Sequence, residues 1–144
     1  MGPYLDTRFL GALLVSNRSY QVAWELLDSN FAPPFYLTAF QALRLEHMLL
    51  HQTDATLKVA TLRGRQEWRR HLEEGVFQLS SLDWDGAHRL ALDLNRRSLH
   101  HRVGPFHYFE AASASMLEAS HFLSFDPFAR MAAKMVGIPV LPES

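Results

Sequence analysis

The strongest constraint on this chain is an alternation of short apolar runs with longer stretches of helical hydrophobic spacing. Tyr4-Leu5, Phe35–Leu37, Val76–Leu79, Phe122–Phe125 and Ile138–Leu141 each read as a brief strand. Between them, Phe9, Leu10, Leu13 and Leu14 mark a first helix, and Val22, Ala23, Leu26 and Leu27, behind Ser19 as N-cap, a second. Thr38 caps a helix reaching about His51, a stretch or pair from Asp54 to Glu74 is interrupted at Gly64, and Asp83 caps a long helix ending near Leu99. A helix from about Phe106 to Ala119 follows the Gly104-Pro105 break, and Pro127 opens a last one that Gly137 closes. Short strands alternating with helices predict an α/β fold whose central parallel sheet, of about four or five strands, is covered on both faces.

In such folds ligands bind beyond the carboxyl ends of the strands. Asp6 directly follows the first strand and Asp126 the fourth. Parallel strands would bring both carboxylates to one edge of the sheet, a placement that follows from pattern alone.

Composition narrows the class. The 144 residues suit one domain spanning 1–144, and a net charge of −1 argues against a globally cationic nucleic-acid binder while leaving room for a local basic patch. The absence of cysteine excludes a disulfide scaffold, a thiolate metal site and a Cys nucleophile. Phe9 to Val15 is too short and poorly flanked for a signal peptide, and no run approaches the length of a membrane span. The expectation is a cytoplasmic protein with no membrane association.

Most other polar features have plain readings. His47 and His51 lack the HExxH order of a zinc helix, and His100-His101 sit where imidazoles meet terminal carbonyls. Arg63, Arg65, Trp68, Arg69 and Arg70 combine cations with an aromatic, the ingredients of RNA contact, as do Arg96, Arg97 and Arg102 without one. A solvated helix face is the default for both stretches. Trp24, Phe31, Phe35, Phe40, Leu43 and Leu50 read as core, with Tyr20, Trp24 and Phe31 as candidates for a dimer face or a groove for a partner helix.

Four segments in order, "YLDTRFLGALL", "LTAFQALRLEHML", "DWDGAHRLALDL" and "HYFEAASASMLEASHFLSFDPFARMAAKMVGIPVLP", resemble the PIN-domain ribonucleases, in the branch that contains the VapC toxins of toxin–antitoxin pairs. The last resembles the family's "DxLHxAxAxxLGAxxFLTFD" in length and most positions. The resemblance spans nearly the whole chain. It implies a three-layer α/β/α PIN-like fold and a metal-dependent endoribonuclease in which Asp6, Glu46 and Asp126 hold Mg²⁺ or Mn²⁺ and RNA is the substrate. Hard cations prefer oxygen ligands and keep several waters, so clustered carboxylates suit that chemistry. It also implies an antitoxin protein as partner. A homodimer is a further expectation, and the Thr7 and Ser124 hydroxyls are placed to hydrogen-bond the ligands or phosphate from behind.

One departure stands out. The family's third acid falls on His107 and its histidine on Glu110, an inverted pair one helical turn apart. Either Glu110 reaches towards the metal while His107 becomes a ligand or acid–base group, or the third acid is lost. Loss would weaken metal binding and shift preference from Mg²⁺ towards Mn²⁺. The second case implies the alternative function, a catalytically weak or inactive PIN-fold module that binds RNA or protein.

Overall fold

Each boundary in the chain has a local chemical cause. Thr38 accepts the Gln41 amide hydrogen while the Gln41 side chain accepts that of Thr38, so a reciprocal cap starts a helix immediately after a strand. Asp83 and Asp126 cap their helices by accepting from the Gly86 and Phe128 amides, and Pro127 supplies a preset φ at the first helical position. Gly137, at φ 75°, takes the left-handed conformation that ends the last helix. The computed structural model describes residues 2–15 and 18–143.

The elements in order are β1 (Tyr4–Leu5), α1 (Thr7–Leu14), α2 (Tyr20–Asn30), β2 (Phe35–Leu37), α3 (Ala39–Leu50), a 3₁₀ turn (Ala55–Leu57), α4 (Lys58–Glu73), β3 (Phe77–Leu79), α5 (Trp84–Arg97), α6 (Pro105–Met116), β4 (Phe122–Leu123), α7 (Pro127–Met135) and β5 (Val140–Leu141). They divide into two compact units. One joins the residues up to Asp6 with those from Ser81 onward, and the other spans Thr7–Ser80.

The discontinuous unit is built on a parallel sheet of order β1-β4-β5, with Tyr4 opposite Phe122 and Phe122 opposite Val140. The Tyr4 and Phe122 rings stack at 5.3 Å, an aromatic cross-strand pair that fixes the register. Alanines form the helix faces that pack here. Ala111, Ala112 and Ala114 of α6 and Ala129, Ala132 and Ala133 of α7 are all buried, so the backbones approach closely.

The Thr7–Ser80 unit holds a second parallel ladder, β2-β3, with Phe35 opposite Phe77. Phe9, Leu10, Leu13 and Leu14 of α1 are buried as expected. Contrary to the sequence reading, α4 runs unbroken through Gly64, where a Cβ would lie 2.6 Å from the Leu14 carbonyl oxygen. The glycine serves close helix approach rather than a break. Ser19 precedes α2 but makes no side-chain cap, and Leu43 and Leu50 are exposed rather than core.

All strand pairs among the described residues are parallel, as expected. The expected sheet of four or five strands is instead divided into ladders of three and two strands. Strands of two or three residues carry few ladder bonds each, so pairing is settled by what packs locally. No helix among the described residues is long and apolar enough to cross a membrane.

Candidate functional site at the ends of two parallel strands

The β1–β4 and β4–β5 ladders each continue past the ends of their strands. The Asp6 amide donates to Leu123 O at 3.2 Å, and the Ser124 amide to Leu141 O at 3.1 Å. Asp6 and Ser124 are thereby carried to the same carboxyl edge of the sheet, and both are buried. The Ser124 hydroxyl donates to Asp6 Oδ2, and its oxygen accepts the Asp126 amide hydrogen at 3.0 Å. One serine thus connects the two acids that sequence pattern placed on one edge.

Asp126 is held at both carboxylate oxygens. Oδ1 accepts from the Phe128 amide at 2.9 Å, and Oδ2 faces His107 Nε2 at 3.1 Å. Burial pushes the Asp126 carboxyl up, but the Phe128 amide, the hydrogen bond and electrostatic attraction of His107, and the Ala129 amide outweigh it. The net result is a carboxyl below the ordinary aspartate range, so Asp126 is ionised at neutral pH.

His107 and Glu110 occupy one face of α6, as their spacing requires. Glu110 is 6% exposed, and Tyr4 Oη donates to its Oε1 at 3.4 Å. His107 is engaged at both nitrogens, because Nδ1 accepts the Gly104 amide hydrogen at 2.8 Å while Nε2 faces Asp126. Tyr4 and the Gly104 amide were missed in the sequence. Tyr4 was readable only as strand core, and a backbone amide leaves no residue-type signal.

Glu46 lies in the other unit, exposed on α3. It borders a cavity of about 340 Å³ together with Leu49, Leu50, Arg65, Trp68, Arg69 and Leu72. The basic stretch is likewise redefined. Arg65 closes the end of α3 by donating to Leu49 O at 2.7 Å, and Trp68 is 5% exposed, too buried to offer a ring face to a base. Thr7 accepts a hydrogen bond from Arg44 Nη1 at 3.3 Å.

The donor set suits a hard cation in one respect: Ser124 bonds the Asp6 carboxylate and the backbone amide of Asp126 at one edge of the sheet, and Mg²⁺ is commonly held by one or two carboxylates plus waters and substrate phosphate. Among the described residues, however, no group of three or more His, Cys, Asp or Glu side chains is gathered to hold a metal ion.

No protein-family model and no curated protein matches this sequence. Among solved structures, the chain is similar to the crystal structure of FitAcB from Neisseria gonorrhoeae, with a TM-score of 0.63 and 16% identity over 99% of this chain and 97% of that one. At that identity the likeness is one of fold. It agrees with the PIN-like α/β architecture implied by the four sequence segments.

Proposed function

We propose that the chain is a metal-dependent endoribonuclease, the toxin of a toxin–antitoxin pair, which hydrolyses RNA phosphodiester bonds at the edge formed by Asp6 and Asp126. The observation that carries this reading is the buried Asp6 carboxylate, bonded by the Ser124 hydroxyl that also accepts the backbone amide hydrogen of Asp126 at the same edge. Burying ionised carboxylates is costly unless counter-charge or donors compensate, and a hydrated Mg²⁺ or Mn²⁺ is the counter-charge this oxygen-rich edge suits. When bound, the ion would lower the pKa of a coordinated water and offset charge on the phosphate.

The chain's own residues have definite tasks in this reading. Asp6 and Asp126 bind, Ser124 sets the orientation of Asp6, and the Tyr4 hydroxyl holds Glu110 in the buried interior of its unit. Glu46 enters as a third acidic ligand through the sequence resemblance alone. The same resemblance supports an antitoxin partner, and a homodimer and a cytoplasmic location complete the proposal from the sequence.

A second reading, a catalytically weak or inactive binding module, is favoured by the lack of a three-membered ligand group among the described residues. Cleavage of labelled RNA by the purified chain in Mg²⁺ and in Mn²⁺, with a chelator blank, separates the two. Asp6→Asn and Asp126→Asn should each reduce cleavage by roughly a hundredfold or more, because even residues behind the ligands are worth 10–100-fold. RNA binding that survives in both variants, with no metal-dependent cleavage by the parent, would establish the module instead.

A further inference from the structure

His107 is the third residue of α6, where a capping Glu or Gln normally accepts the amide hydrogen of the residue before the helix. Here the imidazole takes that task, with Gly104 N–H donating to Nδ1 at 2.8 Å. An imidazole that accepts at Nδ1 carries its proton on Nε2. That Nε2–H faces Asp126 Oδ2 at 3.1 Å and donates to it.

Metal coordination by neutral histidine needs a ring lone pair. In His107 the Nδ1 pair is engaged by Gly104, and Nε2 carries the proton. The ring also lies against Phe128 at a centroid distance of 6.2 Å, and the Phe128 amide binds the other oxygen of Asp126. Asp126 is therefore gripped from two helices, by the first turn of α7 through an amide and by the first turn of α6 through an imidazole.

We infer that His107 is a positioning residue for Asp126 rather than a metal ligand: the Gly104 amide selects its tautomer, and the tautomer aims a proton at the carboxylate and fixes its orientation. What Asp126 is positioned for rests on the nuclease reading, whereas the tautomer does not. The inverted HxxE pair then has a physical meaning. The position that holds an acid in the family carries a hydrogen-bond donor here, and Asp126 gains rigidity in place of a third carboxylate.

Two amide substitutions separate the two functions of the ring. In His107→Gln the side-chain amide extends about as far as Nε2 and can donate to Asp126. In His107→Asn it reaches only about as far as Nδ1 and keeps the Gly104 contact alone. The test uses the full chain with ¹⁵N-labelled histidine, and the His107 signal is assigned by its absence in His107→Gln. Long-range ¹H–¹⁵N spectra should show the Nε2–H tautomer, unchanged by millimolar Mg²⁺. An Nδ1–H tautomer, or loss of the Nε2–H signature on adding Mg²⁺, overturns the inference.

In parallel, Mn²⁺ binding followed by electron paramagnetic resonance and RNA cleavage are compared in variants matched to the parent by thermal unfolding. His107→Gln should stay within about threefold of the parent in both, and His107→Asn should lose roughly 10–100-fold in cleavage. Equal loss of Mn²⁺ binding in both variants marks the imidazole as a ligand and overturns the inference as well. A parent that binds no Mn²⁺ and cleaves no RNA sinks the nuclease reading, while the spectra still decide the role of His107.

Discussion

Asp126 serves the fold and the proposed chemistry with different atoms, so substitution can separate them. Its Oδ1 caps α7, and Asp126→Ala should cost about 1 kcal/mol in urea unfolding, the usual worth of such a cap. Asp126→Asn retains an acceptor at that position and should unfold close to the parent while losing cleavage. His71 gives a residue-scale expectation for pH. It is 9% exposed, packed at 5.5 Å against both Trp24 and Phe77, and its Nδ1 has no hydrogen-bond partner among the described residues. Burial above all, with help from Arg70 and against Glu67 and Glu74, holds its pKa below the ordinary histidine value. The unfolded chain therefore binds this proton more readily than the folded one. The stability contribution is complete above about pH 6.5, the unperturbed value, and is lost as pH falls below it. Urea midpoints should fall between pH 7.5 and 5, and less steeply in His71→Gln. A parent midpoint that is flat over that range would contradict the assignment.

At the scale of elements, Gly64 sets the approach of α4 to α1. Alanine is favoured over glycine inside a helix by about 1 kcal/mol. At this position the added Cβ would meet backbone, the Leu14 carbonyl oxygen at 2.6 Å, which cannot swing away as a side chain can. Overpacking of this kind costs roughly 1–3 kcal/mol, so Gly64→Ala should lower stability despite its better helix propensity. A variant more stable than the parent in chemical unfolding would show that the helices part freely. Gly64 also shows what a sequence can and cannot disclose. Caps such as Thr38, Asp83 and Pro127 act within a few residues, and their helices begin where the pattern put them. Asp6 and Asp126 reach one edge because parallel pairing follows from the strand–helix alternation. Gly64 read as a break because the partner that requires it, Leu14, lies fifty residues away in sequence, and Leu43 and Leu50 read as core because the apolar pattern exceeds the face that α3 buries. The state of His107 was hidden for a related reason, since a backbone amide decides it.

For the molecule as a whole, a ligand that binds only the folded state raises its stability by mass action. At a free Mn²⁺ concentration a hundred times Kd, the gain is about 2.7 kcal/mol. For a chain of this size that is roughly 5–10 °C in Tm. Differential scanning fluorimetry should record such a rise in the parent and none in Asp6→Asn; equal rises in both would place the ion elsewhere. The hydrogen bond from Ser124 to Asp6 joins residues 118 positions apart in the chain. On a ribosome adding about 5–20 residues per second, Asp6 emerges on the order of ten seconds before its serine. Throughout that interval the nascent polypeptide holds one acid of the edge without the strand, hydroxyl or second acid that complete it. A chain that ends upstream of Phe122 therefore carries Asp6 without the serine and second acid of the edge. The carboxylate edge is complete only after the residues that follow Phe122 have joined it.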